Sequence, residues 1–299
     1  MTQEKSLLKW VPVLFVPLWS TGFIGAKFGL PYAEPFTLLS IRMYLTLAAF
    51  LVLIRLYRAK WPDLRGTVHS LAVGVLVHTS YLGGVFAAIS AGMSAGLASL
   101  LVGLQPILTA VLAWTLMGEI VSPRQTAGLV AGLIGVAMVL ILGKSGQESI
   151  AYTSQTLLYT LIALLGITLG TLYQKRFCAG VNLLTGTFYQ FLATSLVMSS
   201  LAFLFETRQV QWEPVFIITM LWLVLGLSVG AVLLLMRMIR EGEAAKVASY
   251  FYLTPPVTEL FAWILFDEVL TPWAIGGIFV TAAGVYLVVG KAREKSVNN

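Results

Sequence analysis

The chain has 299 residues, of which 58% are apolar and only 11% are charged, and its mean hydropathy is +0.88. This composition leaves too little polar surface to cover a water-soluble globule, so we predict a protein embedded in a lipid bilayer. The net charge of +6 comes from basic residues in short clusters between apolar segments, which indicates membrane topology and not nucleic-acid binding. The only cysteine, Cys178, excludes intrachain disulfide bonds and cysteine-rich metal sites.

Ten apolar segments follow one another along the chain, and each is long enough to cross a hydrocarbon core of about 30 Å as a helix. They are continuously apolar and lack the alternation that a β-barrel wall requires. The segments are 10–28, 36–57, 66–91, 94–118, 122–143, 154–173, 183–205, 214–236, 244–266 and 271–290. We therefore predict an all-α membrane protein with ten transmembrane helices.

The basic residues predict how these helices are oriented. With the N-terminus in the cytoplasm, the loops on that side hold fifteen Lys and Arg residues, and the opposite loops hold only Lys144 and Arg208. This bias follows the positive-inside rule, and one helix more or less would destroy it. We expect a multi-pass protein of the bacterial inner membrane with both termini in the cytoplasm.

The two halves of the chain are similar to each other. The corresponding residues of the segments 92–144 and 242–291 are Ala98 and Ala248, Ser99 and Ser249, Pro106 and Pro256, Trp114 and Trp263, Glu119 and Glu268, and Pro123 and Pro272. An offset of about 148 residues also aligns Arg42 with Gln190. Because each half has five helices, an odd number, the second half is expected to be inverted. We predict two inverted-topology repeats of five helices, 1–146 and 150–292, followed by a charged cytoplasmic tail, 293–299.

Prolines near the middle of the membrane are the candidate hinge or gate residues. Pro106 lies about 18 Å inside its predicted helix, and Pro255 and Pro256 lie about 15 Å from Lys246. A proline removes a backbone donor and leaves a carbonyl unpaired, which a wet cavity can satisfy and lipid cannot. A kink that serves only helix packing is the alternative.

Candidate substrate-binding residues lie near these prolines or at the same depth. His78 falls about 18 Å into its helix with Tyr81 on the same face, and an ionisable ring at that depth is expected to face a cavity or water. A histidine bonded to a neighbouring helix is the alternative. Aromatic rings can stack on a flat or apolar solute. The predicted substrate-binding residues are Trp19, His78, Tyr81, Ser99, Gln105, Ser249, Tyr252 and Glu259.

Two opposite charges lie inside predicted helices at similar depths, Arg42 about 9 Å and Glu259 about 12 Å below the outer ends. We predict an ion pair between them that contributes to the outer gate or anchors the two charges of an amino acid. A purely structural ion pair is the alternative.

Signatures of other protein classes are absent from the sequence. Residues 92–96 match the hydrolase pattern G-x-S-x-G, but the strand, turn and helix that this pattern requires are missing. The sequence has no phosphate-binding loop and no set of residues spaced as metal ligands. We expect no enzymatic activity, no cofactor and no metal, and a membrane-embedded enzyme or a channel is the alternative of another class.

A resemblance to a known family is carried by Trp19, Pro35, Arg42, Gly118, Glu119, Asp267 and Glu268. Together these residues resemble the drug/metabolite transporter superfamily, in its ten-span EamA-type branch, and the chain is most similar there to bacterial amino-acid exporters, including those for aromatic amino acids. The resemblance implies a secondary transporter that exports small organic metabolites, foremost amino acids, by alternating access through a central cavity.

The sequence leaves two alternatives for the energy source of such transport. A proton-coupled drug or metabolite efflux carrier is the alternative to facilitated export. The first helix lacks the mid-membrane carboxylate that proton-coupled small multidrug exporters of the superfamily use, which favours facilitated export. The expected partners are a small-molecule substrate and the lipid bilayer, with no nucleic acid, and the expected transport unit is a monomer.

Overall fold

The computed structural model describes residues 11–93, 95–139, 153–241, 244–266 and 271–289. These residues form helices joined by short loops, and the only β-type pairing among them is an antiparallel bridge between Ala33 and Val210. The prediction of an all-helical fold is confirmed for this part of the chain.

The helices of the described ranges are α1 (Val11–Gly29), α2 (Pro35–Leu56), α3 (Leu64–Ser90), α4 (Ala95–Val102), α5 (Gln105–Met117), α6 (Pro123–Ala137), α7 (Ser154–Phe177), α8 (Leu183–Phe205), α9 (Pro214–Glu241), α10 (Ala244–Ser249), α11 (Thr254–Phe266) and α12 (Pro272–Val289). A short 3₁₀ segment, Tyr250–Leu253, joins α10 to α11.

Seven of these helices are long and apolar enough to cross a membrane, namely α1, α2, α3, α7, α8, α9 and α12. They match seven of the ten predicted segments to within five residues at either end. The predicted segments 94–118 and 244–266 are each divided into two helices, and the segment 122–143 is helical over Pro123–Ala137. The count of ten transmembrane helices therefore stays a prediction.

Two of the long helices contain a π-helical segment, which hydropathy does not predict. The segments are Gly74–Gly83 in α3 and Leu223–Ala231 in α9. Adding 148 to 74 and 83 gives 222 and 231, so the two segments coincide within one residue at the offset that aligns the halves. π-Helical turns are rare and frequently lie at functional sites.

Small residues allow α6 and α12 to pack closely along their length. A Cβ atom at Gly135 would lie 2.3 Å from Thr281 Oγ1 and 2.7 Å from the carbonyl oxygen of Gly277. A Cβ at Gly284 would lie 2.5 Å from the backbone nitrogen of Gly132. The two backbones are therefore in contact within one chain, as small residues permit between membrane helices.

The substitution Gly135→Ala is expected to destabilise the protein by about 1–3 kcal/mol, because the new methyl group overlaps backbone atoms that cannot move away singly. The measurement is the melting temperature of detergent-purified protein. Gly276→Ala is the matched control, since the nearest atom there is 3.5 Å away at the end of a methionine. Equal melting temperatures for both variants would contradict the close packing.

Candidate substrate cavity

A cavity lies between α1, α2, α3 and α9. It is lined by Trp19, Gly22, Phe23, Ala26, Arg42, His78, Tyr81, Leu82, Val85, Phe86, Leu227 and Val232. About 40 Å³ of it is open to the centres of water molecules. We call this space the central cavity, and it is mostly apolar.

Aromatic rings form one wall of the central cavity. Trp19 and Tyr81, both predicted at the site, stack with ring centroids 6.1 Å apart and planes 12° from parallel. Phe251 packs edge-on against Trp19 at 5.3 Å and against Phe15 at 5.4 Å. Such a wall offers flat, apolar surface to a solute.

Arg42 supplies the positive charge of the central cavity. The residue is only 3% exposed, and its Nε donates a hydrogen bond to Ser228 Oγ at 2.9 Å. Ser228 belongs to the π-helical segment of α9. Among the described side chains no carboxylate lies within ion-pair distance of Arg42, and the predicted partner, the side chain of Glu259, lies outside the described residues. The predicted Arg42–Glu259 pair therefore stays a prediction.

His78 is held by a chain of side-chain amides. Its Nε2 lies 3.3 Å from Gln190 Oε1, and Gln190 Nε2 donates to Gln174 Oε1 at 3.1 Å. Because Gln190 presents an oxygen to the ring, His78 Nε2 carries the proton in this arrangement. The ring also stacks on Phe191 with centroids 4.5 Å apart. His78 thus lines the central cavity and also forms a hydrogen bond with a neighbouring helix. Both predicted roles, facing a cavity and bonding a neighbouring helix, therefore apply.

A second, smaller cavity adjoins the central cavity and shares its aromatic wall. Trp19 and Tyr81 line both, and Ser99, Phe251 and Pro255 line the second one. Ser99 is therefore close to the central cavity without lining it.

A third cavity also has Phe251 in its wall. Besides Phe251 it is lined by Gln105, Thr171 and Lys175, among others. Gln105 is fully buried, and both of its amide atoms are without a hydrogen-bond partner among the described residues. Each cavity therefore shares lining residues with the next, and Phe251 lines both the second and the third.

Helix interruptions precede the predicted hinge prolines. Gly103 and Leu104 separate α4 from α5, in which Pro106 is the second residue. The 3₁₀ segment Tyr250–Leu253 separates α10 from α11, in which Pro255 and Pro256 are the second and third residues. The backbone is therefore irregular where proline was expected to disturb it, while the role of these prolines as hinges stays a prediction.

Two predicted site residues lie away from the central cavity. Tyr252 is fully buried against α6, where a Cβ at Gly132 would lie 2.5 Å from its ring. Ser249 is also buried, and its hydroxyl donates to the carbonyl of Lys246 at 2.7 Å. The structure does not bring these two residues together with Trp19, Arg42, His78 and Tyr81.

A reciprocal pair of glutamates joins the loop before α2 to the loop after α8. Glu206 accepts hydrogen bonds from the N–H groups of Phe36 and Thr37 at 2.7 and 2.6 Å, which caps the N-terminus of α2. Glu34 in turn accepts bonds from the N–H and hydroxyl groups of Thr207 at 2.7 and 2.8 Å. We call this arrangement the Glu34–Glu206 clamp; it joins the two halves at one face of the molecule.

The Glu34 side of the clamp depends on its negative charge. The hydroxyl of Thr207, the N–H groups of Thr207 and Arg208, and the charge of Arg208 lower the pKa of Glu34 against the opposing effect of burial. Because the folded-state pKa is lowered, this contribution to stability is fully present above the unfolded pKa of about 4.3 and is lost as the pH falls through the folded pKa. The clamp is therefore intact at neutral pH.

The substitution Glu206→Ala is expected to lower the free energy of unfolding by about 2 kcal/mol, since it removes charged acceptors from part-buried N–H groups of α2. Thermal unfolding in detergent measures this. Glu213→Ala is the control, because Glu213 stands at the start of α9 without a side-chain capping bond. A loss no larger than that of the control would show that Glu206 does not stabilise α2.

An ion pair joins the two halves near the third cavity. Gly118 ends α5 in the left-handed conformation (φ 69°), which glycine adopts without strain. Glu119 follows and pairs with Lys175, in the last turn of α7. The two side chains are 22% and 21% exposed, respectively, so water screens the pair only partly.

Sequence reasoning did not single out Gln190, Ser228, Lys175 or Glu206 as site residues. For Gln190 a signal exists, because the 148-residue offset aligns it with Arg42. Arg42 of α2 bonds to the π-helical segment of α9, and Gln190 of α8 bonds to the π-helical segment of α3. For Glu206 no local signal exists, since its partners are 169 and 170 residues away.

Comparison with known proteins identifies the family. The sequence model of the EamA-like transporter family matches this chain twice, over residues 10–141 and 154–290. The chain belongs to the EamA-like transporter family. This family is part of the drug/metabolite transporter superfamily, as the sequence predicted, and it consists of transporters and not of enzymes. The chain is accordingly a multi-pass membrane protein.

Individual relatives of this EamA-family chain are similar at low identity over nearly their whole length. An uncharacterized transporter of Bacillus subtilis (strain 168) is 26% identical over 281 residues, which cover 94% of this chain and 90% of that protein. A probable amino-acid metabolite efflux pump of Salmonella typhimurium is 26% identical over 292 residues, which cover 93% of each protein. A solved crystal structure covers 94% of this chain and 96% of its own with a TM-score of 0.78 at 19% identity, which shows a shared fold.

Proposed function

We propose that this protein is a secondary transporter of the bacterial inner membrane that exports small organic metabolites, foremost amino acids, through the central cavity. The observation that carries the proposal is a buried cavity in the centre of the helices that combines aromatic walls with one buried cation, Arg42. Such a site suits a solute that has an apolar body and a charged end. The name of the Salmonella relative, an amino-acid metabolite efflux pump, agrees with this choice.

Two inverted repeats of five helices, 1–146 and 150–292, form the proposed architecture, with both termini in the cytoplasm. The two family matches, the two π-helical segments at corresponding positions, and the crosswise bonds of Arg42 and Gln190 support it. In such transporters the substrate site lies at the repeat interface near the middle of the bilayer.

Alternating access is the proposed mechanism, because only about 40 Å³ of the central cavity is open to the centres of water molecules and an amino acid needs more room. The helices have to separate on one side at a time to admit and release a solute. In the proposed topology the Glu34–Glu206 clamp closes the outer side, and the Glu119–Lys175 pair closes the cytoplasmic side. Helices α4–α5 and α10–α11, which are interrupted before their prolines, are the segments proposed to bend.

Counterflow in proteoliposomes tests the proposal. Vesicles preloaded with an excess of one unlabelled amino acid are expected to accumulate the labelled form transiently, in a saturable manner and without an imposed pH gradient. Strict dependence on a pH gradient would favour the proton-coupled alternative. Non-saturable flux would indicate a channel, and no flux across a panel of amino acids would overturn the proposed substrate class.

Cysteine labelling in intact cells tests the proposed topology. In a Cys178→Ser background, single cysteines placed in the tail 293–299 are expected to react only after the cells are permeabilised. Reaction in intact cells would place the C-terminus outside and contradict the arrangement.

A further inference from the structure

Arg42 has unused hydrogen-bonding capacity at a place where a buried charge is costly. Only Nε has a partner, Ser228, so the two terminal nitrogens of the guanidinium have none among the described residues. An uncompensated charge inside a membrane protein is costly and usually serves a substrate or ion. Arg42 lines the central cavity. The N–H groups on the two terminal nitrogens of Arg42 are therefore suited to bind an anionic ligand.

The other groups that line the central cavity define the rest of the ligand. Among the described lining residues Arg42 is the only charged one, and none carries a carboxylate. The cavity therefore offers a partner to an anion and, within the described residues, no counter-charge to an ammonium group. The stacked Trp19 and Tyr81 rings and Phe86 supply apolar surface.

We propose that Arg42 binds the carboxylate of the transported solute, so that the substrate class is monocarboxylates with an apolar or aromatic body and the α-amino group contributes little to recognition. This inference rests on the proposed transport function and specifies what the same cavity recognises. A guanidinium binds a carboxylate through two parallel hydrogen bonds, and the bond from Nε to Ser228 fixes the plane of the fork.

Competition among three related compounds tests the inference on the unmodified protein. The compounds are phenylalanine, 3-phenylpropionate, which lacks the amino group, and phenethylamine, which lacks the carboxylate. Each is tested as an inhibitor of counterflow of the best-transported amino acid and as a ligand that raises the melting temperature in detergent. We expect 3-phenylpropionate to act within a few-fold of phenylalanine and phenethylamine to have no effect.

Variants of Arg42 locate the effect. Arg42→Gln is expected to weaken 3-phenylpropionate about tenfold to a hundredfold, the range of a hydrogen bond to a charged group. Arg42→Lys keeps the positive charge but lacks the two parallel N–H donors of the guanidinium. Its affinity for 3-phenylpropionate is expected to lie between those of the unmodified protein and Arg42→Gln. Arg55→Gln is the control, because Arg55 is exposed on the same helix. Without ligand, Arg42→Gln is expected to melt no lower than the unmodified protein, whereas an arginine with a purely structural role would lower the melting temperature.

The outcomes separate this inference from the proposed function. Saturable amino-acid counterflow that phenethylamine inhibits and 3-phenylpropionate does not would overturn carboxylate recognition and leave the transport function standing. Carboxylate recognition by Arg42 would also be overturned if Glu259→Gln, and not Arg42→Gln, abolished inhibition by 3-phenylpropionate. Absence of counterflow with every amino acid would overturn the proposed function, while stabilisation by 3-phenylpropionate that depends on Arg42 would still support the binding site.

Discussion

Reversing either charge of the Glu119–Lys175 pair is expected to slow counterflow about tenfold, and exchanging both charges is expected to restore most of it. The pair joins the loop after α5 to the end of α7, which belong to different halves of the chain. Breaking a partly buried pair between two elements is expected to cost about 1–2 kcal/mol, between the costs of breaking an exposed pair and a buried one. A free-energy change of about 1.4 kcal/mol shifts an equilibrium tenfold. Loss of the ion pair is therefore enough to favour opening of the side that the pair closes.

The measurement compares Glu119→Lys, Lys175→Glu and the double exchange in proteoliposomes at equal protein density. Arg237 and Glu241 provide the control, because they form an ion pair within one turn of α9 and are more exposed, at 43% and 37%. Reversing both of those charges is expected to leave transport unchanged. If the double exchange of Glu119 and Lys175 is as slow as the single variants, the pair does not close the transport path.

Hydropathy predicts most of this fold because the bilayer constrains helix length more than any local signal does. The seven long apolar helices of the described ranges begin and end within five residues of the predicted segments. The π-helical segments escape such reasoning, since they depend on contacts between distant parts of the chain. At Gly74, for example, a Cβ would lie 2.2 Å from the carbonyl oxygen of Gln190 in another helix.

The site was predicted less completely, because depth in the membrane does not tell which way a side chain points. Trp19, Arg42, His78 and Tyr81 do line one cavity. Tyr252 packs against α6 instead, where a Cβ at Gly132 would lie 2.5 Å from its ring. Its neighbour Phe251 lines two of the cavities in its place.

Phe251 also leads to the second prediction with a large expected effect, in which Phe251→Ala makes the transporter leak. The ring lines both the cavity with Ser99 and Pro255 and the cavity with Gln105 and Lys175, and it packs edge-on against Trp19. Without the ring these two cavities are expected to merge, since no other described side chain lines both. Vesicles preloaded with labelled solute are expected to lose it about tenfold faster when no solute is present outside for exchange. Counterflow then no longer shows a transient accumulation of label. A tenfold change corresponds to a free-energy change of only about 1.4 kcal/mol.

Removal of a buried phenylalanine ring costs about 3–5 kcal/mol wherever it lies, so the leak has to be separated from general loosening. Phe50→Ala is the matched control, because Phe50 is fully buried, packs against Phe191 and lines none of the three cavities described above. Phe251→Leu fills much of the same volume and is expected to restore the transient accumulation in part. If Phe251→Ala and Phe50→Ala leak equally, or if neither leaks, the ring is not the barrier between the cavities, and the constriction that keeps one side closed has to be sought at the Glu119–Lys175 pair alone.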